Sequence, residues 1–308
     1  MSIQVEELYK SNIVSVSDVR CRSHDTRRSA EEHSPTHEIV FPRRGCFVHH
    51  VERHEAAADA NTVLFFRKHE PYRISHPVSG GDDCTCLSFA PDVLADAFRT
   101  FDSSVADHPD DPLRATRMLC ATDTFVILHQ LRRTVRHLRC DGNGLNSLVV
   151  DEAAIQLLET LARVSGPSKT LSNRPWRNGT LHAHRELAEH ARVVLSECMC
   201  DSLTLARIAH RVHSSPFHLA RVFRRMTGLS LHQYLTRLRL RAALERLADG
   251  ESDLTALGLA LGFASHSHFS DAFRREFNVT PSAFRLGLRS TQIREMSTIL
   301  KAFPSHSR

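Results

Sequence analysis

The chain has 308 residues, which is long for one compact core and sufficient for two domains. Hydrophobic residues make up 41% of it and charged residues 24%, a balance typical of ordinary soluble globular proteins. No apolar run approaches the roughly 18 residues of a membrane span, which argues against a membrane protein.

The net charge of +5 is unevenly distributed along the chain. Residues 181–290 hold 15 Arg, no Lys and 10 acidic residues, whereas residues 1–180 hold 22 basic and 24 acidic residues. This asymmetry favours a polyanionic partner for the basic part, and the alternative is a solvated surface that is rich in Arg.

The first twenty residues carry three acidic side chains and lack a continuous apolar centre. We therefore expect no secretory signal and a cytoplasmic protein. The eight cysteines are scattered through the chain, which favours reduced thiols over a disulfide framework in that compartment.

Short β-branched or aromatic runs, separated by Pro and Gly turns, predict strands in the first 90 residues. They lie at residues 38–41, 46–51, 62–66 and 84–89. Their close spacing predicts a small β-sandwich or barrel.

After Pro91 the pattern changes to the helical period. Two apolar stripes, at residues 125–138 and 148–162, predict a hairpin of amphipathic helices with a turn at 141–144. This hairpin would cover the sandwich or pair with a second subunit.

A segment rich in Gly, Pro, Ser and Asn predicts an interdomain linker at residues 166–180. The expected organisation is a front domain at 1–165, the linker, a helical domain at 181–290 and a tail at 291–308. In the helical domain, Ser215 and Pro216 predict a helix start, Gly228 a helix end, and Pro281 the start of a short last helix.

The helical domain contains an internal repeat. Residues 223–234 return fifty residues later as 273–284, and the segment before them repeats one residue out of that register. Ala209 and Gly258 are the small residues where two helices of a helix-turn-helix approach closely. Each repeat is thus predicted to be one helix-turn-helix unit.

Helical geometry places apolar side chains of the second helix of each unit inside and polar ones on an exposed front. The front residues are Phe217, Ala220, Arg221, Arg224 and Arg225 in the first unit, and Ser267, His268, Ser270, Asp271, Arg274 and Arg275 in the second. Such side chains suit base edges and phosphates, and the alternative is a solvated helix face.

In these residues the chain resembles the AraC family of transcriptional regulators. The matches are Ala209, Ser215, Leu219, Phe223 and Gly228 in the first unit, the helix at 234–242, and Gly262, Phe263, His268, Phe269, Phe273, Phe277 and 281–285 in the second. The resemblance implies a seven-helix, two-unit domain that inserts both recognition helices into successive major grooves of double-stranded DNA.

The resemblance also assigns base-reading positions. They fall on Phe217, Ala220 and Arg221 in the first unit, and on His266, Ser267, Ser270 and Asp271 in the second. Many members have a basic residue where this chain has Asp271, a side chain that repels phosphate and can accept a hydrogen bond from a cytosine amino group. Arg274 and Arg275 keep roles at the DNA backbone.

The front domain resembles the cupin-like sensor domain common ahead of such DNA-binding domains, across residues 58–66 and 72–82. This resemblance implies a small-molecule effector and a dimerising surface. The expected fold class is therefore α+β multidomain, with an N-terminal cupin-like barrel or sandwich plus helical hairpin and an all-α double helix-turn-helix domain.

Candidate residues for the effector pocket are His76, Cys84 and Cys86. The two cysteines are two residues apart on a strand and share a face, and His76 precedes a turn. These groups could bind a soft metal or sense an oxidant, or they are simply core residues. No metal or cofactor is assigned, because the CxxC and His-x-His spacings of metal sites are absent from the sequence.

No paired-carboxylate, phosphate-loop or nucleophile-elbow pattern supports catalysis, so we do not expect an enzyme. The leading hypothesis is a sequence-specific transcription regulator controlled by an effector, with DNA, the effector, a second copy of the chain and RNA polymerase as partners. The alternatives are a metal- or redox-sensing regulator and a cupin-type metalloenzyme.

Overall fold

The computed structural model describes residues 2–23, 26–52, 54–113, 115–141, 147–165 and 178–289. Of the expected linker, residues 166–177 lie outside these ranges, and residues 178–180 already belong to a helix. The expected tail at 291–308 and the expected turn after Asp141 also lie outside them. Within the described ranges, no helix combines the length and apolar character needed to cross a membrane.

The front part is built mainly of antiparallel strands. Six of them form one sheet in the order β1-β2-β8-β3-β6-β9, and three form a second sheet in the order β5-β4-β7. The strands are β1 (Ser2–Lys10), β2 (Val14–Arg22), β3 (Glu38–Gly45), β4 (Phe47–Val51), β5 (His54–Ala58), β6 (Thr62–Phe66), β7 (Arg73–Ser75), β8 (Asp82–Phe89) and β9 (Arg117–Leu119).

Helices follow the last strands and fill the second half of the described chain. They are α1 (Pro91–Arg99), α2 (Thr122–Asp141), α3 (Ser147–Ser165), α4 (Asn178–Glu197), α5 (Leu205–Arg211), α6 (Pro216–Thr227), α7 (Leu231–Ala248), α8 (Leu254–Ala260), α9 (His266–Phe277) and α10 (Pro281–Arg289). The expectation of a sheet-rich first part and a helical second part is confirmed.

Side-chain alternation along β3 makes the six-stranded sheet a middle layer. Ile39 and Phe41 point to one side and pack with α1, α2 and α3 in the largest apolar cluster. Val40 points to the other side and packs with Phe47 and Phe66 between the two sheets. The four predicted strands are present as β3, β4, β6 and β8, and the two apolar stripes form the hairpin helices α2 and α3.

The large apolar cluster does not stop at the front part. It continues through Leu240 and Leu244 of α7 into Phe269 and Phe273 of α9. The front part and the helical part therefore share a hydrophobic core, which the linker composition did not predict.

Gly258 lies in α8, where this helix crosses α9. A Cβ built on Gly258 would lie 2.9 Å from Phe269 Cβ, so the two helices approach this closely only because Gly lacks a side chain. Ala209 is buried at the corresponding place in α5. The predicted need for a small residue at the helix crossing is confirmed for Gly258.

Replacing Gly258 with Ala should lower the free energy of unfolding by about 1–3 kcal/mol, because the added methyl group overpacks a closed contact. The matched control is Gly179→Ala in the first turn of α4, where an added Cβ meets nothing within 4 Å. That change should be neutral or slightly stabilising, since it restricts the unfolded chain. Urea denaturation followed by circular dichroism measures both, and equal stabilities would contradict the close-packing account.

Candidate nucleic-acid interface

The first helix-turn-helix unit consists of α5, a short turn and α6. Thr204 and Ser215 cap the two helices, each accepting a hydrogen bond from the backbone N–H three residues on. Pro216 begins α6 at a position whose N–H has no partner within the helix, and Gly228 ends it in the left-handed conformation. Local sequence therefore specifies both ends of α6, as predicted.

The second unit repeats this construction in α8 and α9. Asp253 caps α8, Ser265 caps α9, and Asn278 ends α9 in the left-handed conformation. Helix α9 begins and ends fifty residues after α6, whereas α8 begins 49 residues after α5. These offsets confirm the predicted repeat and its shift of one residue in register.

The predicted front of α6 faces solvent. Phe217 is 80% exposed at the first turn of the helix. Arg221 and Arg224 are exposed on the same side, and Ala220 and Arg225 are half-buried beside them. An exposed aromatic ring next to guanidinium groups fits contact with base edges and phosphates better than contact with a protein core.

The predicted front of α9 is also exposed but has a different chemistry. His266, Ser267, His268, Asp271, Arg274 and Arg275 are exposed, and Ser270 is half-buried. A hydrogen bond of 3.3 Å joins Ser270 Oγ and His266 Nε2. The front of α6 thus offers cations and an aromatic ring, whereas that of α9 combines neutral donors, a carboxylate and a pair of Arg residues.

Between these units, α7 is held by a buried cluster of four charged side chains, which we call the ionic clasp. Its members are Asp18 on β2, Arg43 on β3, Arg132 on α2 and Glu245 on α7. Arg43 contacts Asp18 at 3.2 Å and Glu245 at 2.9 Å. Arg132 contacts the same two carboxylates at 2.9 and 3.3 Å. All four side chains are buried, so the clasp ties three elements of the front part to the helical part.

Both carboxylates of the clasp are held in the charged form. Burial alone raises the pKa of Asp18, but the hydrogen bond and charge of Arg132 and the charge of Arg43 outweigh it and lower that pKa. Burial likewise raises the pKa of Glu245, and the contact with His129 and the charges of Arg132 and Arg43 hold it well below its usual range.

A second set of contacts joins α7 to the turn between β5 and β6. Tyr234 Oη donates to both carboxylate oxygens of Asp59, at 2.9 and 2.8 Å. Asn61 Nδ2 donates to the backbone oxygen of Tyr234 at 3.0 Å. The buried Arg241 donates to the backbone oxygens of Ala60 and Cys120. The front part therefore contacts helix α7 near both of its ends.

Helix α4 makes a third contact between the two parts. Glu189 on α4 accepts a hydrogen bond of 2.8 Å from the backbone N–H of Ala57 and forms an ion pair with Arg117 of β9. Because α4 also packs against α6 through the apolar cluster around Leu219, it connects the front part directly to the first recognition unit.

Two of the three residues predicted to line an effector pocket meet at one carboxylate. His76 Nε2 donates to Asp82 Oδ1 at 2.7 Å, and Cys84 Sγ donates to Asp82 Oδ2 at 3.0 Å. Cys86 does not join them at this carboxylate, although it contacts the same apolar cluster between the sheets as Cys84. Sequence reasoning missed two members of this group, Asp82 itself and the neighbouring Cys21.

The thiols of this region are poor nucleophiles. Burial, and then the charge of Asp82, raises the pKa of Cys21 to about 11 and that of Cys84 well above its ordinary value. Burial also raises the pKa of Cys86 strongly. Because oxidants attack the thiolate, these environments do not favour rapid oxidation.

The charged residues of the clasp were also missed from the sequence. Glu245 lies in a stretch of α7 whose neighbours Leu244 and Leu247 are buried. A carboxylate within a buried stretch of helix is a signal of a buried ionic contact, but it does not identify the partner charges.

Comparison with known proteins agrees with this construction. A protein family described as a helix-turn-helix domain matches residues 208–287. The HTH-type transcriptional activator RhaS from Shigella dysenteriae serotype 1 is 28% identical over 259 residues, covering 83% of this chain and 87% of that protein. RhaS from Escherichia coli strain K12 has the same identity and coverage.

Two solved structures are also similar. The apo form of a ToxT variant from Vibrio cholerae is 13% identical and covers 89% of this chain and 97% of its own, with a TM-score of 0.37. A regulator with an AraC-type DNA-binding domain from Chromobacterium violaceum is 28% identical and covers 36% of this chain and 99% of its own, with a TM-score of 0.33.

Two capped helix-turn-helix units with exposed fronts define a DNA-binding protein. Residues 208–287 form a helix-turn-helix domain similar to those of AraC-type transcriptional regulators, and the chain is a DNA-binding regulator of transcription.

The substitution Glu245→Gln should lower the free energy of unfolding by about 3–5 kcal/mol, because it removes one charge from a buried, hydrogen-bonded cluster. The control is Glu251→Gln, which removes an exposed carboxylate that pairs with Arg246 and accepts from the backbone N–H groups of Ser252 and Asp253. That change should lower the free energy of unfolding far less than Glu245→Gln does, because solvent screens an exposed ion pair. Chemical denaturation at neutral pH measures both.

Comparing the wild type with Glu245→Gln at different pH values tests the charge of Glu245. Since the pKa of Glu245 is lowered in the folded chain, its stabilising contribution is present above its ordinary pKa of about 4.3 and is lost as the pH falls below it. The stability gap between the wild type and Glu245→Gln should therefore narrow in acid. A gap that widens in acid would contradict the charge assignment.

Proposed function

We propose that the protein reads a specific DNA sequence with α6 and α9 as its two recognition helices. The observation that supports this most directly is the structural repeat: two helices of the same length and capping, fifty residues apart, each with an exposed polar front. Helix α6 would read bases through Phe217, Ala220 and Arg221, and Arg224 and Arg225 would contact phosphates.

For α9 we propose a different reading mode. His266, Ser267, Ser270 and Asp271 would face the base edges, His268 would lie beside them, and Arg274 and Arg275 would contact the backbone. Asp271 weakens attraction to phosphate while favouring cytosine, whose amino group donates a hydrogen bond. Helix α6 should therefore supply most of the affinity and discrimination.

We further propose that the front part, taken as a cupin-like sensor, binds a small effector through a site that includes His76 and Cys84. Cys86 remains a candidate for the edge of that site. Its occupancy would act on α7 through the ionic clasp and the Asp59–Tyr234 contact. Helix α2 supports the sequence hypothesis that the hairpin transmits the signal, because it carries Arg132 of the clasp.

The role is regulatory rather than catalytic in this proposal, with a homodimer as the acting form. The two RhaS proteins are described as transcriptional activators, which favours activation and contact with RNA polymerase for this chain as well. Among the alternatives, oxidant sensing is disfavoured by the raised thiol pKa values, whereas metal sensing is not.

We expect Arg221→Ala to abolish discrimination between the preferred DNA sequence and a mismatched one, because a bidentate Arg–guanine contact contributes about 1–3 kcal/mol. Asp271→Ala should have a smaller effect or tighten non-specific binding. Fluorescence anisotropy with sequences selected from random DNA measures both, at two salt concentrations.

The control for these variants is Arg246→Ala, which removes an Arg at the end of α7 that pairs with Glu251. It should leave discrimination unchanged. Equal losses of specificity from Arg221→Ala and Asp271→Ala would show that the two units contribute alike.

A fragment that begins at residue 178 should fold and bind DNA, but more weakly than the whole chain. It keeps the apolar cluster shared by α4, α5 and α6, while it leaves Glu245 and Arg241 without their partners in the front part. The loss of the dimerising front part also removes the gain in effective concentration. Circular dichroism and gel shift test this, and an unfolded fragment would show that the front part is needed for folding.

A further inference from the structure

Three metal-ligating side chains meet where β2 and β8 pair. Cys21 and Asp82 are directly opposite each other in the β2–β8 register, and His76 follows the last residue of β7. One donor atom from each residue lies within 4.8 Å of the other two. Donors this close can share an ion, since ligand atoms about 2.0–2.3 Å from Zn²⁺ lie roughly 3–4 Å from one another.

The fold assembles this group from both sheets. Cys21 and Asp82 belong to the six-stranded sheet, whereas His76 continues from a strand of the smaller one. Gly81 has a φ of +80°, and a Cβ there would lie 2.0 Å from the backbone oxygen of Cys21. Only Gly lets β8 begin so close to the end of β2. A bound ion would link the two sheets.

The group is closed to solvent and rich in donors. Cys21, His76 and Asp82 are 5%, 4% and 6% exposed. Cys84 lies two residues after Asp82 on the same strand face, with its sulfur 3.0 Å from Asp82 Oδ2. A buried carboxylate requires a compensating positive charge, and a divalent cation supplies one among a carboxylate, a thiolate and an imidazole.

We infer that Cys21, His76 and Asp82 form a binding site for Zn²⁺, with Cys84 adjacent as a hydrogen-bond donor to the Asp82 carboxylate. Sulfur and nitrogen donors select Zn²⁺ over Mg²⁺ and Ca²⁺. Binding replaces the Cys21 thiol proton, which passes to solvent. The two charges of the ion are then balanced by one thiolate and one carboxylate, and the neutral imidazole completes the set.

The site is connected through β3 to the residue that follows α7. Asp82 and Asp83 pair with Gly45 and Arg44 across the β3–β8 register, and Arg44 forms an ion pair with Asp249 just after α7. In the regulator proposed above, Zn²⁺ would be the effector of the front part. This role rests on the proposed function, whereas Zn²⁺ binding itself does not.

The test uses the full-length chain, reduced and freed of metal by a chelator. Titration with Zn²⁺ against a chromophoric chelator should give one ion per chain. Cys21→Ser and His76→Gln should each weaken binding by more than about 100-fold, because the loss of even an outer-shell partner weakens metal binding roughly 10–100-fold. Cys120→Ser, a buried cysteine away from the group, is the matched control and should bind as the wild type does.

Two measurements on the wild type test Zn²⁺ binding even if a variant fails to fold. Co²⁺, used as a probe in place of Zn²⁺, should give a thiolate-to-metal charge-transfer absorption at one equivalent. Zn²⁺ should raise the melting temperature, since it binds the folded chain preferentially. A wild type without these responses, or a folded Cys21→Ser variant that retains full affinity, overturns the site.

The experiments distinguish failure of the proposed Zn²⁺ site from failure of the proposed regulatory role. Zn²⁺ bound by a protein that selects no DNA sequence would support the site and contradict the regulatory role. Sequence-specific DNA binding by a protein that binds no Zn²⁺ would overturn the site and leave the regulatory role supported.

Discussion

Two carboxylates and two guanidinium groups buried at one junction constrain the whole molecule. Asp18, Arg43, Arg132 and Glu245 come from four different elements, and all are removed from water. A buried charge without its partner costs several kcal/mol. Because each Arg pairs with both acids, the clasp is satisfied only when β2, β3, α2 and α7 are all in place. The sheet, the hairpin and the helical part therefore depend on one another.

The helix held by this clasp also separates the two recognition units. Three residues separate the end of α6 from the start of α7, and α7 packs against α9 through the shared apolar core. Contacts at Tyr234, Arg241 and Glu245 leave it little freedom to move without the front part. An effector can change DNA binding only by binding two arrangements unequally, and the junction at α7 is where two such arrangements would differ in buried contacts. DNA and effector would then influence each other reciprocally.

The residues proposed to read DNA and those proposed to bind the effector were predictable to different degrees. The fronts of α6 and α9 follow from the helical period and from short-range caps, so the sequence suffices to place Arg221 and Asp271 on exposed faces. His76 and Cys84 were chosen for their residue type and strand spacing, but their common partner Asp82 and the neighbouring Cys21 depend on strand pairing. Cys84 and Cys86 both contact the apolar cluster between the sheets, but only Cys84 also forms a hydrogen bond with Asp82.

The sequence by itself determined the elements whose signals are local: the repeat, the capped helices, the amphipathic hairpin and four of the strands. These depend on contacts between residues a few positions apart, or on the side-chain period of one element. Only the tertiary structure decided the pairing of β2 with β8, the contacts of the front part with α7 and the convergence of Cys21, His76 and Asp82. These contacts join residues far apart in sequence. Local propensity does not determine which distant strand pairs with a given strand or which distant charge pairs with a given charge. Packing and the pairing of buried charges determine both.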